Sequence, residues 1–142
     1  MNAGDLATPR GIRNRNPGNL ERVPGVIWRG QAARQSDPRF VVFDAPVWGI
    51  RAMARVLTTY YERHQRRSVR RMIERWAPPG ENRTHAYMLA VASRLGVGVD
   101  ETLARNEETW SRLCAAITRH ENGVDPYPAT LYREAVRLAW GK

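Results

Sequence analysis

The chain has 142 residues, a length suited to one domain with one core. Apolar residues make up 42% and charged residues 26%, ordinary for a globular protein, and no apolar run reaches the ~20 residues of a membrane span. The net charge is +9, and all but one of the 23 cations are arginine, which excludes an acidic surface and favours flat, bidentate contacts with anions.

Residues 1–10 read as a flexible tail without the charged and apolar regions of a secretory signal, and residues 11–142 as one folded domain. The stretch from Gly11 to Leu20 is dense in Asn, Gly and Pro and predicts a structured turn. Val26-Ile27-Trp28 and Phe40-Val41-Val42-Phe43 predict a small antiparallel ribbon across the polar loop 30–39. Helices follow. Asp44 is placed to cap a helix with Pro46 in its first turn, and Val47, Ile50, Met53, Ala54, Leu57, Tyr60 and Tyr61 form its apolar stripe. Ser68 is placed to cap a short helix that Pro78-Pro79 ends. Thr84 is placed to cap a third, which Gly96 closes. Asn106 opens a fourth, and Pro128 opens the last.

The helix after Asn106 carries the most informative position. Trp110, Leu113, Cys114 and Ile117 share one face, and the next position on that face is Glu121. Gly123 stops the helix, so Glu121 meets the negative end of the helix dipole beside apolar neighbours. Both effects are expected to disfavour its ionised form. A carboxylic acid that keeps its proton is what a glycosidase uses to protonate a leaving oxygen.

Other groups gather around this idea. Tyr127, in the Pro-rich exit, suits sugar stacking. Asn16 and Asn19 offer the donors and acceptors that amino sugars need, although a purely structural turn explains them equally well. Glu81, in the loop Pro78–Arg83, is a possible second acid, and Asp37 and Asp44 are further candidates. Cys114 is single and reads as a buried structural thiol. His64, His85, His120 and Cys114 lack metal-ligand spacing, so neither a metal nor a cofactor is expected. The run Arg66-Arg67-Ser68-Val69-Arg70-Arg71 keeps DNA binding as an alternative, although no nucleic acid partner is expected.

Taken together, Gly11-Ile12-Arg13-Asn14, Asn16-Pro17-Gly18-Asn19-Leu20, Trp28-Arg29-Gly30, Phe40–Asp44, Trp48–Ala52, Trp76-Ala77-Pro78 and Arg119-His120-Glu121-Asn122-Gly123 resemble a family of small phage and prophage proteins. Its members, often labelled virion structural proteins, are similar to the lysozyme-like superfamily of peptidoglycan-cleaving enzymes, soluble lytic transglycosylases included. The resemblance implies a mainly α (α+β) lysozyme-like domain with a small β-ribbon. Because the glutamate helix comes late rather than first, it also implies a circular permutation. Glu121 would be the catalytic acid. Tyr87, followed by Val91, would match the family's tyrosine, and Asn122 would join Tyr87, Tyr127, Asn16 and Asn19 in binding substrate. Arg15 departs from the asparagine common at its position.

The activity so implied is cleavage of the β-1,4 bond between N-acetylmuramic acid and N-acetylglucosamine. Either a muramidase or a lytic transglycosylase forming an anhydro-sugar fits. A non-catalytic virion or DNA-binding protein is the reading from a different class. The expected partners are the peptidoglycan glycan strand and, through the arginines, the anionic wall surface, with the protein acting as a monomer. It would be made in the host cytoplasm and reach the wall through holin-type release or delivery by the virion.

Overall fold

The computed structural model describes residues 8–80 and 83–141. Six helices occur among them: α1 (Arg10–Arg13), α2 (Pro46–Arg63), α3 (Val69–Trp76), α4 (Thr84–Leu95), α5 (Glu107–Asn122) and α6 (Ala129–Ala139). They form a compact all-α bundle in which α5 packs on α4 and α6, and α2 packs on α6.

The helix boundaries follow local chemistry. The Ser68 hydroxyl accepts from the Arg71 N–H, and the Asn106 carboxamide accepts from the Thr109 N–H, each satisfying an orphan donor of a first turn. Glu107 and Glu108 complement the positive end of α5. Gly96 and Gly123 end α4 and α5 in the left-handed conformation. Two expected caps are replaced. Ala45, not Asp44, precedes α2, with no side-chain cap. Arg83 precedes α4, and the Thr84 hydroxyl donates to the Ala77 carbonyl instead.

Ile50, Met53, Leu57, Val69, Met72, Ile73, Val91, Trp110, Leu113, Cys114 and Ile117 are fully buried and form the centre of the core. Trp110 and Trp140 both donate their indole N–H to the Thr58 hydroxyl, at 3.1 and 2.9 Å, which satisfies the polar edges of two large rings. Cys114 is a free buried thiol, and burial raises its pKa far above the ordinary value, so no reactive thiolate forms. Tyr132, Ala135, Val136 and Ala139 of α6 are buried as well.

The expected β-ribbon is absent among the described residues, and with it the α+β lysozyme-like architecture and its permutation. Residues 20–45 are irregular, with two isolated antiparallel bridges, Glu21 to Phe40 and Gln31 to Phe43. The backbone of residues 39–44 bonds to Leu20, Arg22, Gly30 and Ala32 rather than to 26–28, and side chains take further backbone groups. The Asn16 amide donates to the Leu20 and Val41 carbonyls, and Gln35 donates to the Ala32 and Val42 carbonyls while accepting from the Val42 N–H. The Asp37 carboxylate accepts from the Arg39 and Phe40 N–H groups. Pro24 and Pro38 add no donors. Val26–Trp28 pairs with nothing in register, and Ile27 is 84% exposed.

No described helix is long and apolar enough to cross a membrane.

Candidate functional site

The apolar face of α5 is as the spacing implied: Trp110, Leu113, Cys114 and Ile117 are fully buried, and Glu121 continues that face into the last turn. There the side chain leaves the core half-buried. Its Oε1 accepts from the Asn19 Nδ2 at 3.0 Å, across 102 residues of sequence. Its Oε2 accepts from the Tyr87 hydroxyl at 2.7 Å. Three elements therefore converge on one carboxylate: the end of α5, the first turn of α4 and the turn 14–19.

Tyr87 is 2% exposed and stacks on His120, with ring centroids 3.8 Å apart. Burial first, then the charge of Glu121, pushes the phenol pKa well above its ordinary value. Tyr87 is therefore a permanent hydrogen donor to Glu121 at neutral pH. The His120 imidazole is shifted down, mainly by burial, while the neighbouring Glu121 charge pulls it up.

Asn19 reaches Glu121 because the turn bends sharply, with φ 51° at Asn19 itself, a left-handed value that asparagine tolerates better than most residues. Asn16 builds that bend. It has no solvent exposure, accepts from the Leu20 N–H, and donates to two carbonyls. Every polar group of its side chain is engaged in the fold, so it does not reach a substrate. Asn122 ties the turn to the helix by donating to the Pro17 and Thr118 carbonyls, at 2.9 Å each. Both asparagines therefore position Asn19 and Glu121.

The carboxylate borders a cavity of about 490 Å³. Gly18, Asn19 and Leu20 line it from the turn, Val56 and Tyr60 from α2, and Trp76, Ala77 and Pro78 from the end of α3. Glu21, Arg39 and Phe40 complete the wall. The Arg39 guanidinium donates to the Glu21 Oε1 from Nε and Nη2, at 2.9 and 2.6 Å, and lies over the Phe40 ring. Both partners of this pair are more than half exposed, so it fixes the wall only weakly. Glu21, Arg39 and Phe40 carried no signal in the sequence beyond their closeness to the Asn-rich turn and to the Val41–Phe43 run. Tyr60 read simply as part of the α2 core stripe.

The remaining sequence candidates lie elsewhere. Tyr127 is half-buried, packs edge-on against Tyr132, and is not among the residues lining the cavity. Asp37 is 8% exposed and held by Arg10 through two hydrogen bonds of 2.7 Å, by Asn14 at 2.9 Å, and by two backbone N–H groups. The Arg10 guanidinium, together with these donors, holds its carboxyl far below the usual range. Asp37 thus anchors α1 to the loop. Asp44 is exposed and outside the cavity lining. Glu81 lies outside the described residues. Among the described residues no cluster of His, Cys, Asp and Glu could hold a metal ion. In the arginine run before and within α3, Arg70 pairs with Asp100 at 2.6 Å, Arg66 with Glu74 at 3.8 Å, and Arg67 lies over Tyr61.

No protein-family model matches the chain. It is 40% identical over 120 residues to Protein P5 of Pseudoalteromonas phage PM2, a match covering 83% of this chain and 74% of that protein.

Proposed function

The chain belongs to the family of Protein P5 of Pseudoalteromonas phage PM2, and we propose that it cleaves the glycan strand of bacterial peptidoglycan with Glu121 as the general acid. The observation that carries this reading is the convergence of Asn19 and Tyr87 on the Glu121 carboxylate at the wall of a cavity of about 490 Å³. Among the described residues each carboxylate oxygen has one donor, and a carboxyl group has about four lone-pair sites, which leaves room for a substrate oxygen. The two donors hold the side chain in one orientation before substrate arrives, which is how positioned acids gain effectiveness. Trp76, Tyr60, Phe40 and Arg39 line the cavity, and aromatic and guanidinium groups of this kind suit sugar. A phage relative accords with a wall-directed activity, and the +9 charge draws the protein to an anionic wall through contacts that salt weakens.

In this reading Glu121 protonates the oxygen bridging N-acetylmuramic acid and N-acetylglucosamine as positive charge develops at the sugar carbon. The bond then resolves in one of two ways. Water attacks with help from a second carboxylate, or the muramyl hydroxyl attacks with Glu121 now accepting its proton. Asp37 is engaged in the fold and Asp44 stands apart from the cavity. Among the described carboxylates, Glu21 shares the cavity with Glu121.

Mass spectrometry of a digest of purified peptidoglycan tests the proposal. Fragments ending in muramic acid are expected, and hydrated and anhydro ends differ by one water. A hydrolase that uses Glu21 loses its hydrated products in Glu21→Gln, whereas a transglycosylase keeps its anhydro products in the same variant. Glycan strands left at their starting length by the unaltered protein contradict the proposal.

A further inference from the structure

Residues 22–29 form a projecting turn that the Glu121 cavity does not use. Val26 donates its N–H to the Val23 carbonyl at 3.1 Å, with Pro24 and Gly25 between them. Gly25 has φ 81°, so the pattern is that of a type II turn, with proline and then a left-handed glycine at its corner. The base is fixed as well. Trp28 packs with Val41, Phe43 and Ala52, and its N–H donates to the Gln31 side chain at 3.1 Å. Val23 is 55% exposed, Val26 44% and Ile27 84%, and together they account for most of the large hydrophobic exposure among the described residues. The turn also borders an open hollow of about 430 Å³, lined by Val23, Pro24, Val26, Pro38 and Val41.

Within residues 22–36 the charges have one sign, flanked by Glu21, which pairs with Arg39, and by Asp37, which is buried against Arg10. Residues 22–36 contain Arg22, Arg29 and Arg34 and no acidic residue, and all three arginines are exposed. Arg22 is set by a hydrogen bond of 3.1 Å to the Asp37 carbonyl, and Arg29 lies 4.8 Å over the Trp48 ring. An apolar tip whose own segment carries only cations suits a partner that is apolar inside and anionic at its face. A second copy of this chain offers the apolar part but brings another +9. The glycan strand offers no apolar interior. We propose that the turn 22–29 inserts Val23, Val26 and Ile27 into the interface of a bilayer containing anionic phospholipid, while Arg22, Arg29 and Arg34 meet its headgroups.

The full chain can be floated with vesicles of phosphatidylcholine alone and of equal parts phosphatidylcholine and phosphatidylglycerol. The comparison protein is the double variant Val26→Ser, Ile27→Ser, whose substituted side chains are exposed in the folded state. Unaltered protein should bind the mixed vesicles at least ~10-fold more tightly than the neutral ones, and the variant should lose at least ~10-fold on the mixed vesicles. An unchanged melting temperature shows that the variant is folded. Equal binding of both proteins to the mixed vesicles would reduce the effect to net charge and overturn the proposal, as would no flotation of the unaltered protein. An unaltered protein that sediments as a dimer while the variant is a monomer would assign the tip to a second copy and overturn it too. Neither residue lines the Glu121 cavity, so wall cleavage is retained in the variant whichever result is found.

Discussion

Asp37 and Asn16 illustrate how residues that look chemical in sequence become structural in the fold. Asp37 was a candidate second acid, yet it accepts from Arg10, Asn14 and two backbone N–H groups at once. Because its folded carboxyl is held below the ordinary range, the unfolded chain takes up a proton near pH 4 while the folded chain does not. Its stabilisation is therefore complete above that pH and is lost as pH falls below it. Asp37→Asn should cost roughly 2–3 kcal/mol at pH 7, with a gap to the unaltered protein that narrows steadily below about pH 4 in urea melts. A gap of constant size from pH 7 to pH 3 would contradict this assignment. Asn16 and Asn19 are neighbours of the same type, and nothing in their spacing separates them. Only the fold decides that one is sealed under two carbonyls while the other turns its amide to Glu121.

Individual elements were legible where chemistry is local. The apolar face of α5, the Ser68 and Asn106 caps and the glycine stops at Gly96 and Gly123 depend on residues within a turn of one another, and they stand as read. The ribbon failed because β-propensity does not choose a partner: the backbone of residues 39–44 bonds to 20–22 and 30–32 instead of 26–28, and Asn16, Gln35 and Asp37 take further backbone groups. Helix α1 was missed because four residues carry no periodicity. Gly49 marks the contact that sequence could not reveal. It lies within α2, where alanine would ordinarily gain up to about 1 kcal/mol. Here an added Cβ would lie 2.0 Å from the Arg15 carbonyl oxygen. Arg15 is itself left-handed, with φ 54°, so the turn has little freedom to retreat. Gly49→Ala should destabilise the protein by about 2 kcal/mol, measured by chemical denaturation, and it should weaken wall cleavage by shifting the turn that carries Asn19. A gain in stability would show that the α2–turn contact is looser than described.

At the scale of the molecule, the bundle brings together groups that lie far apart along the chain. Turn 14–19 comes from the start, Tyr87 from the middle and Glu121 from near the end, and they meet at one cavity wall. A helix-face reading could locate Glu121. It could not locate Glu21, Arg39 or Phe40, because no local pattern ties an irregular loop to a helix end many residues away. The proposed cleavage depends on the acid at the end of α5, and Glu121→Gln tests it most directly, since glutamine keeps the shape and removes the transferable proton. Clearing of purified peptidoglycan should fall at least ~10³-fold while melting temperature and helix content are retained. Clearing at the unaltered rate by a folded Glu121→Gln protein would contradict the account.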